Sequence, residues 1–187
     1  MAKVAAVSGY KSFELGIFQQ SDKRVEIIKT ALKKNIHSLL EEGYEWILIS
    51  GELGTELWAA EAVFSLKEEG FEELKLAVIT PFLHQEKNWN ERNKEWYNSV
   101  LQRADYVNSV SKKPYMNPWQ YRQKNKFFIE KSDLLLLLYD PEFEGSPKYI
   151  YEAAKKYQQK HNYEIRLFHF YDLQELFEEE QMRREPF

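Results

Sequence analysis

Short apolar runs alternate along the chain with longer segments in which apolar residues recur every three or four positions. The runs have the length of buried strands, and the spaced segments have the period of a helix with one buried face. Helices are predicted between the strands, with N-caps at Ser21, Asn117 and Ser146, and a short acidic helix follows the last strand. The predicted strands are residues 3–8, 46–49, 74–79, 105–110, 133–139 and 165–170.

This alternation predicts the fold class. Strands joined by helical crossovers form a mainly parallel sheet that is covered on both faces. A chain of 187 residues suits one such unit, and no repeat or linker divides it. We therefore expect an α/β protein, a single Rossmann-like three-layer α/β/α domain over residues 1–187.

The segment from Glu45 to Glu61 passes directly from a strand through a glycine turn into a helix. The turn, Ser50-Gly51-x-x-Gly54-Thr55, leaves the first helical N–H groups without intrahelical partners, which favours an anion there. Its two glycines permit positive φ and let a ligand approach the backbone. Such turns are also plain connectors, and this spacing matches neither the dinucleotide-binding nor the Walker pattern. The local spacing alone leaves both interpretations open.

Four turns are expected to meet at one rim of the sheet, because the carboxyl ends of parallel strands lie on the same edge. This convergence favours a ligand site, and a phosphate-bearing small molecule is the expected ligand. The candidate ligand-binding residues in these turns are Ser8, Gly9, Tyr10, Ser50, Gly51, Gly54, Thr55, Thr80, Phe82, Gly145 and Ser146.

Composition and charge narrow the classes of function. The net charge of −4 argues against bulk electrostatic binding to nucleic acid. The absence of cysteine excludes disulfides and thiolate chemistry and fits a cytoplasmic protein. The four histidines are scattered, so no metal is expected, and the cofactor is left unknown. No membrane association is expected either, because the sequence shows no signal-peptide pattern and no apolar stretch of about 18 residues.

Five groups of motifs spread over nearly the whole chain carry a family resemblance. They are Ser8-Gly9-Tyr10-Lys11 with Phe13-Glu14-Leu15-Gly16, the segment Ile49–Glu61, Val78–Phe82 with Glu86–Trp89, Gln123-Lys124-Asn125 before Ser132-Asp133, and Tyr139-Asp140-Pro141 with Gly145–Tyr149. With these motifs the chain resembles the YpsA-like family of the SLOG superfamily, which is related to the Smf/DprA and LOG proteins.

The resemblance implies a Rossmann-like fold that binds a nucleotide or nucleotide-derived ligand over the glycine turn. It also implies ties to cell-division control in Gram-positive bacteria. LOG-type enzymes cleave an N-glycosidic bond and carry a Gly-Gly-x-Gly-Thr-x-x-Glu motif. Here Glu56 follows Gly54-Thr55 immediately, so the spacing departs from that motif. A sensor or regulator is the leading hypothesis, and a nucleoside monophosphate N-glycosidase is the alternative.

Four further residues are candidates for the site, each with a simpler alternative. Glu56 either complements the helix dipole or accepts hydrogen bonds from a sugar, and it would be the catalytic residue of an enzyme. Asn125 is expected to point inward, where its amide needs partners from the backbone or from a ligand. Trp58 and Trp89 are either core residues or candidates to stack on a base. Trp58 lies off the apolar stripe of its helix and Trp89 lies in a polar loop, which weakens the core alternative for both and favours the rim clearly only for Trp89.

Residues 106–129 are basic and aromatic and contain no acidic side chain. A solvated face, a surface that attracts phosphate and a small surface for single-stranded DNA all fit this composition. The acidic C-terminus opposes the last of these, so nucleic acid is not the expected partner. The expected partner is a nucleotide-derived small molecule, and a homo-oligomer or a protein partner is left open. The basic residues are Lys112, Lys113, Arg122, Lys124 and Lys126.

Overall fold

The sheet has six strands, and all of its strand pairs are parallel. A computed structural model describes residues 2–184; Met1 and residues 185–187, which end the predicted domain, lie outside the described part. Leu134 to Leu138 are buried on both faces of the sheet, as an uninterrupted leucine run predicts for a central parallel strand. The strands are β1 Lys3–Gly9, β2 Tyr44–Ile49, β3 Lys75–Thr80, β4 Tyr106–Ser109, β5 Leu134–Leu138 and β6 Glu164–Phe168.

Each crossover between consecutive strands contains a helix, and a further helix follows the last strand. A 3₁₀ turn, Ser12–Leu15, lies between β1 and the first of them. The helices are α1 Lys23–Glu41, α2 Thr55–Glu68, α3 Glu91–Arg103, α4 Trp119–Glu130, α5 Pro147–Gln158 and α6 Phe170–Arg184. This alternation confirms the predicted Rossmann-like α/β/α class.

The strand order is β4-β3-β2-β1-β5-β6. The chain therefore builds outward from β1 through β4 and then returns to the other side of β1 with β5. In an open parallel sheet this reversal opens a crevice at the carboxyl ends of the two strands, which is the general position for a ligand. The reversal lies between β1 and β5.

Several element boundaries differ from the sequence prediction. The side chain of Asp22, rather than that of Ser21, caps α1 by accepting a hydrogen bond from the Arg24 N–H. The last strand ends at Phe168, and Phe170 already belongs to α6, which runs on to Arg184 and is not short. The weakest predicted strand, at residues 105–110, is present as the edge strand β4.

Helix α2 is buried on nearly all of its sides rather than along one stripe. Its first six residues, Thr55 to Ala60, are all buried, because the helix packs against the sheet and beside α1 and α3. Of the two alternatives for Trp58, the structure shows the core one, since its side chain is 0% exposed. A spacing argument fails for a helix that has neighbours on both flanks.

Candidate functional site

At the carboxyl ends of β1 and β5, Tyr10 ties the two strands together. Its hydroxyl donates a hydrogen bond to the Phe143 carbonyl at 2.6 Å and accepts one from the Asp140 N–H at 3.0 Å. Its ring stacks on Phe170, with centroids 5.4 Å apart. Burial raises the pKa of the Tyr10 phenol, which therefore stays neutral. Tyr10 thus occupies part of the crevice in which a doubly wound sheet would usually bind a ligand.

The side chain of Glu14 occupies the N-terminal end of α5. Its carboxylate accepts hydrogen bonds from the Ser146 N–H at 2.7 Å and from the Ser146 hydroxyl at 2.6 Å. It also accepts one from the Lys11 N–H at 2.8 Å. A Cβ on Gly145 would lie 2.7 Å from the same carboxylate, so glycine is needed for this contact. The start of α5 therefore binds an anion, and that anion is the side chain of Glu14.

The glycine turn after β2 closes on the segment that follows β1. The N–H and the hydroxyl of Thr55 both donate to the Tyr10 carbonyl, at 3.2 and 2.8 Å. Gly54 has φ +103°, and a Cβ there would lie 2.4 Å from the Ser12 nitrogen. A Cβ on Gly9 would likewise lie 2.7 Å from the Thr55 side chain. The close approach that these glycines allow is made by the chain itself, which corrects the expectation that the Thr55 N–H faces a phosphate.

Glu56 is buried beneath this turn and is surrounded by donors from the protein. One carboxylate oxygen accepts from the Ser50 N–H at 2.6 Å and from the Ser50 hydroxyl at 2.7 Å, and the other accepts from the Ser8 hydroxyl at 2.8 Å. The exposed fraction of Glu56 is 3%. The carboxylate joins the ends of β1 and β2 and holds the turn in shape. Its predicted contact with a sugar stays a prediction.

An open cleft of about 410 Å³ lies beside these packed turns, above the ends of β1, β2 and β3. The segment after β1 forms one wall, and the loop after β3 forms the other. Glu52 and Leu53 belong to the glycine turn, and Tyr121 reaches in from α4. The lining residues are Lys11, Ser12, Phe13, Ile17, Phe18, Gln20, Glu52, Leu53, Gln85, Trp89, Asn90, Asn93 and Tyr121.

Two opposite charges face each other in the cleft. The Lys11 ammonium lies 3.8 Å from one carboxylate oxygen of Glu52, whose other oxygen accepts from the Leu53 N–H at 3.1 Å. The ammonium also lies 5.9 Å from the centre of the Tyr121 ring. Burial raises the pKa of the Glu52 carboxyl, and Lys11 only partly offsets this effect. The cleft therefore holds a carboxylate that is poorly solvated and has one long ion pair.

Aromatic side chains form the walls of the cleft. Trp89 packs edge to face against Tyr97, with centroids 5.2 Å apart, and Gln85 is held by the Ser50 carbonyl at 2.7 Å. On the opposite wall, Phe13 and Phe18 are 65% and 78% exposed. Exposed rings beside a fixed tryptophan provide faces on which a planar group can stack.

Helix α4 places two polar side chains one turn beyond Tyr121. Burial lowers the pKa of the Lys124 ammonium, which also interacts electrostatically with Glu52, Glu56 and Lys11. Asn125 is 9% exposed, and its side-chain oxygen has no hydrogen-bond partner among the described residues. A buried acceptor without a partner costs about 1–3 kcal/mol, so this position has an unmet need for a donor.

Of the predicted site residues, the structure brings Trp89 into the cleft. Trp58 is in the core, although its indole N–H reaches Gln20 at 2.8 Å. Phe82 is buried against Tyr115 and Tyr121, with Thr80 beside it. Several cleft residues were not predicted from the sequence, among them Lys11, Glu52, Gln85 and Tyr121. Glu52 stands inside the glycine motif itself and was the clearest available signal.

A family model described as the YspA SLOG family, and named YpsA, matches residues 5–173. The chain belongs to this family. Its relatives include a UPF0398 protein of Bacillus velezensis, 57% identical over 95% of this chain and 97% of that protein. The UPF0398 protein YpsA of Bacillus subtilis is 56% identical over 95% of this chain and 98% of its own length.

A solved structure supports the same fold. It is DNA processing protein A from Helicobacter pylori, described for its single-stranded DNA binding mode, with a TM-score of 0.53 and 17% identity. The match covers 89% of this chain, and this chain covers 64% of that one. At this identity the likeness supports the fold alone.

Two features are absent from residues 2–184. None of the helices in this range is both long enough and apolar enough to cross a membrane. Within the same range no group of three or more histidine, aspartate or glutamate side chains could hold a metal ion.

Proposed function

We propose that the protein binds a nucleotide-derived ligand in the cleft above the glycine turn and acts as a sensor or regulator. The observation that carries this proposal is the combination in one cleft of exposed aromatic walls, the charged pair Lys11–Glu52 and the side-chain amides of Gln85, Asn90 and Asn93. A planar base can stack on the walls, and the amides can pair with its polar edge.

The alternative of an N-glycosidase centred on Glu56 finds less support. Both oxygens of that carboxylate already accept hydrogen bonds from Ser8 and Ser50. A catalytic carboxylate must contact the reacting sugar, and here Glu52 is the carboxylate that lines the cleft. Incubation with nucleoside monophosphates and assay for free base tests this alternative. Release of base at a rate that falls in Glu52→Gln would restore the enzyme hypothesis.

Thermal denaturation of the pure protein with nucleotides, ADP-ribose and NAD tests the proposal. A ligand at a hundred times its Kd stabilises the folded state by about 2.7 kcal/mol, which for a chain of this size raises Tm by roughly 5–10 °C. Phe18→Ala should reduce the affinity, because stacking on one aromatic side chain contributes about 1–3 kcal/mol. Phe18 is an exposed residue, so its removal should leave the Tm without ligand nearly unchanged.

Tyr149→Ala is the matched control, since Tyr149 is an aromatic residue of α5, 68% exposed, that does not line the cleft. The absence of a shift with every ligand of the panel would contradict the proposal. So would a shift that Phe18→Ala and Trp89→Ala leave unchanged.

The family resemblance extends the proposal to the control of cell division in the cytoplasm of a Gram-positive host. In that role, ligand binding would bias the protein towards or away from a division partner. A strain that carries Phe18→Ala should then show altered cell length at a normal protein level. Cell length equal to that of the Tyr149→Ala strain would remove this part of the proposal.

A further inference from the structure

We propose that Lys11 and Lys124 form an anion subsite where the cleft meets α4, and that they bind the phosphate of a phosphorylated sugar there. This inference rests on the proposed function and deepens it, because it assigns the phosphate to two lysines rather than to the glycine turn. The N–H of Thr55 is already bonded to the Tyr10 carbonyl, and the start of α5 is already bonded to Glu14.

The first support is the state of Lys124. Its neighbour along α4, Lys126, is exposed and lies 3.9 Å from Glu130. Lys124 is instead half-buried, and no carboxylate of the described residues lies within 4.0 Å of its ammonium. Its Nζ lies 5.4 Å from the centre of the Phe128 ring, and the charges of Glu52 and Glu56 act on it from further away. A desolvated ammonium without a close partner attracts an anion strongly.

The second support comes from Asn125 and does not depend on charge, because this side chain is neutral. Its side-chain oxygen is buried and has no partner among the described residues. Tyr121, Lys124 and Asn125 are three and four residues apart, so they share one face of α4, and Tyr121 already lines the cleft. A hydroxyl of a sugar whose phosphate lies between the two lysines could donate to this oxygen.

Glu52 supplies the competing charge. Without a ligand it lies 3.8 Å from Lys11 and partly neutralises that lysine. An incoming phosphate must therefore share Lys11 with a carboxylate that repels it. Removal of this carboxylate should strengthen phosphate binding, whereas removal of either lysine should weaken it. A site that recognised only the base would show neither effect.

The experiment compares adenosine, AMP and inorganic phosphate by calorimetry on the full-length protein and its variants. A hydrogen bond to a charged group contributes about 1.5–3 kcal/mol, so AMP should bind about ten to a hundred times more tightly than adenosine. Lys124→Met and Lys11→Met should each remove most of this preference, because only AMP carries the phosphate that the two lysines would bind. Glu52→Gln should increase the preference.

Lys126→Met is the matched control and should behave as the original protein, because Lys126 is on the same helix but points to solvent. Methionine keeps the length of the lysine side chain, and the Tm of each variant without ligand verifies the fold. Equal affinity for adenosine and AMP, or a preference that survives both lysine variants, would overturn the subsite and leave the proposed function standing.

Failure of adenosine and AMP to bind would count against the proposed function, and inorganic phosphate then decides the subsite separately. Stabilisation by phosphate that is lost in Lys124→Met and kept in Lys126→Met would support it. An equal response to phosphate of the original protein, Lys124→Met and Lys126→Met would overturn the subsite.

Discussion

Two regions at the same edge of the sheet differ in whether they are open to a ligand. The crevice between β1 and β5, the usual ligand position in this class of fold, is filled by Tyr10 and by the carboxylate of Glu14. The cleft above β1, β2 and β3 is open and has exposed aromatic walls. Topology therefore identifies the edge on which a ligand can bind, whereas individual side chains decide which part of that edge is available.

The largest effect is expected at Gly54, where the closed region is held together. Gly54→Ala combines a positive φ with a Cβ 2.4 Å from the Ser12 nitrogen. We expect a loss of about 3 kcal/mol or more in the free energy of unfolding, or roughly 6–12 °C in Tm. Thermal denaturation measures it.

Gly70→Ala is the control for backbone strain alone. Gly70 has a similar φ of +110°, and a Cβ there would meet nothing within 4 Å. Its substitution should cost about 1 kcal/mol. Equal losses in the two variants would show that the packing of residues 10–12 on the turn does not require glycine. Because Gly54→Ala should disturb the fold, a loss of ligand binding in this variant would identify a ligand contact only if the variant is shown to be folded.

The next largest effect is expected at Glu14, which also belongs to the closed region. Glu14→Ala leaves the Ser146 N–H and hydroxyl without an acceptor and should cost about 2 kcal/mol. If the carboxylate acts as an internal anion, inorganic phosphate or sulfate should restore part of the lost Tm in this variant. The wild-type protein should gain less from the same salt at the same ionic strength.

Glu144→Ala is the control, because Glu144 is an exposed carboxylate in the loop that contains Ser146. It should change neither the Tm nor the response to phosphate. A Glu14→Ala protein that phosphate does not restabilise would show that the start of α5 needs no anion, and the comparison of the two regions would lose its electrostatic part.

The sequence predicted the fold better than it predicted the site, for a physical reason. The leucine run of β5 and the periodic apolar face of α1 depend on burial, which leaves its pattern in neighbouring residues. The partner of a polar group is set by tertiary contacts across a long separation in the chain. Glu14 and Ser146 are 132 positions apart, and no local pattern relates them.

The glycine turn illustrates the same limit. Gly54 does have the positive φ that its motif predicted, but the space that it frees is taken by residues 10–12. Local spacing can show that a close approach occurs, although it cannot show what approaches. Trp89 was predicted because an aromatic residue in a polar loop has no local reason to be there. No local pattern marks Lys11, and Glu52 was not predicted although it lies inside the glycine motif.

A smaller effect is expected in the open region, at Glu52. Burial raises the pKa of this carboxyl in the folded protein, so its ionisation costs stability once the pH exceeds the unfolded pKa of about 4.3. Glu52→Gln removes the cost and should stabilise the protein at neutral pH by about 1 kcal/mol or less, since the contact with Lys11 is also lost. Below about pH 4 the Glu52 carboxyl is protonated in the folded and the unfolded protein alike, so Glu52→Gln should no longer stabilise the protein.

Denaturant unfolding at the two pH values measures this difference. Glu91→Gln is the control, because the Glu91 side chain is 87% exposed and its neutralisation should matter little at either pH. A destabilised Glu52→Gln protein at neutral pH would mean that the pairing with Lys11 outweighs the desolvation of the carboxylate.

The smallest effect is expected on the outer basic surface, for single-stranded DNA. Of the basic residues between 106 and 129, Lys113 and Arg122 are exposed and have no side-chain partner among the described residues. Lys112 donates hydrogen bonds to Asn108 and Ser109, Lys124 is half-buried, and Lys126 lies 3.9 Å from Glu130. Each phosphate contact with a single strand contributes a salt slope of about −0.7, so two contacts give about −1.4. The acidic residues 178–180 would further oppose binding.

We therefore expect no substantial binding of a labelled oligonucleotide near 150 mM salt, where surface charges are already well screened. Fluorescence anisotropy with Lys113→Ala plus Arg122→Ala, compared with Lys124→Ala, separates the outer surface from the cleft. Submicromolar affinity that collapses when Lys112, Lys113, Arg122 and Lys124 all become alanine would contradict this expectation. If Lys124→Ala alone removed that affinity, the strand would have to enter the cleft, and the open region would be a site for polynucleotide rather than for a small molecule.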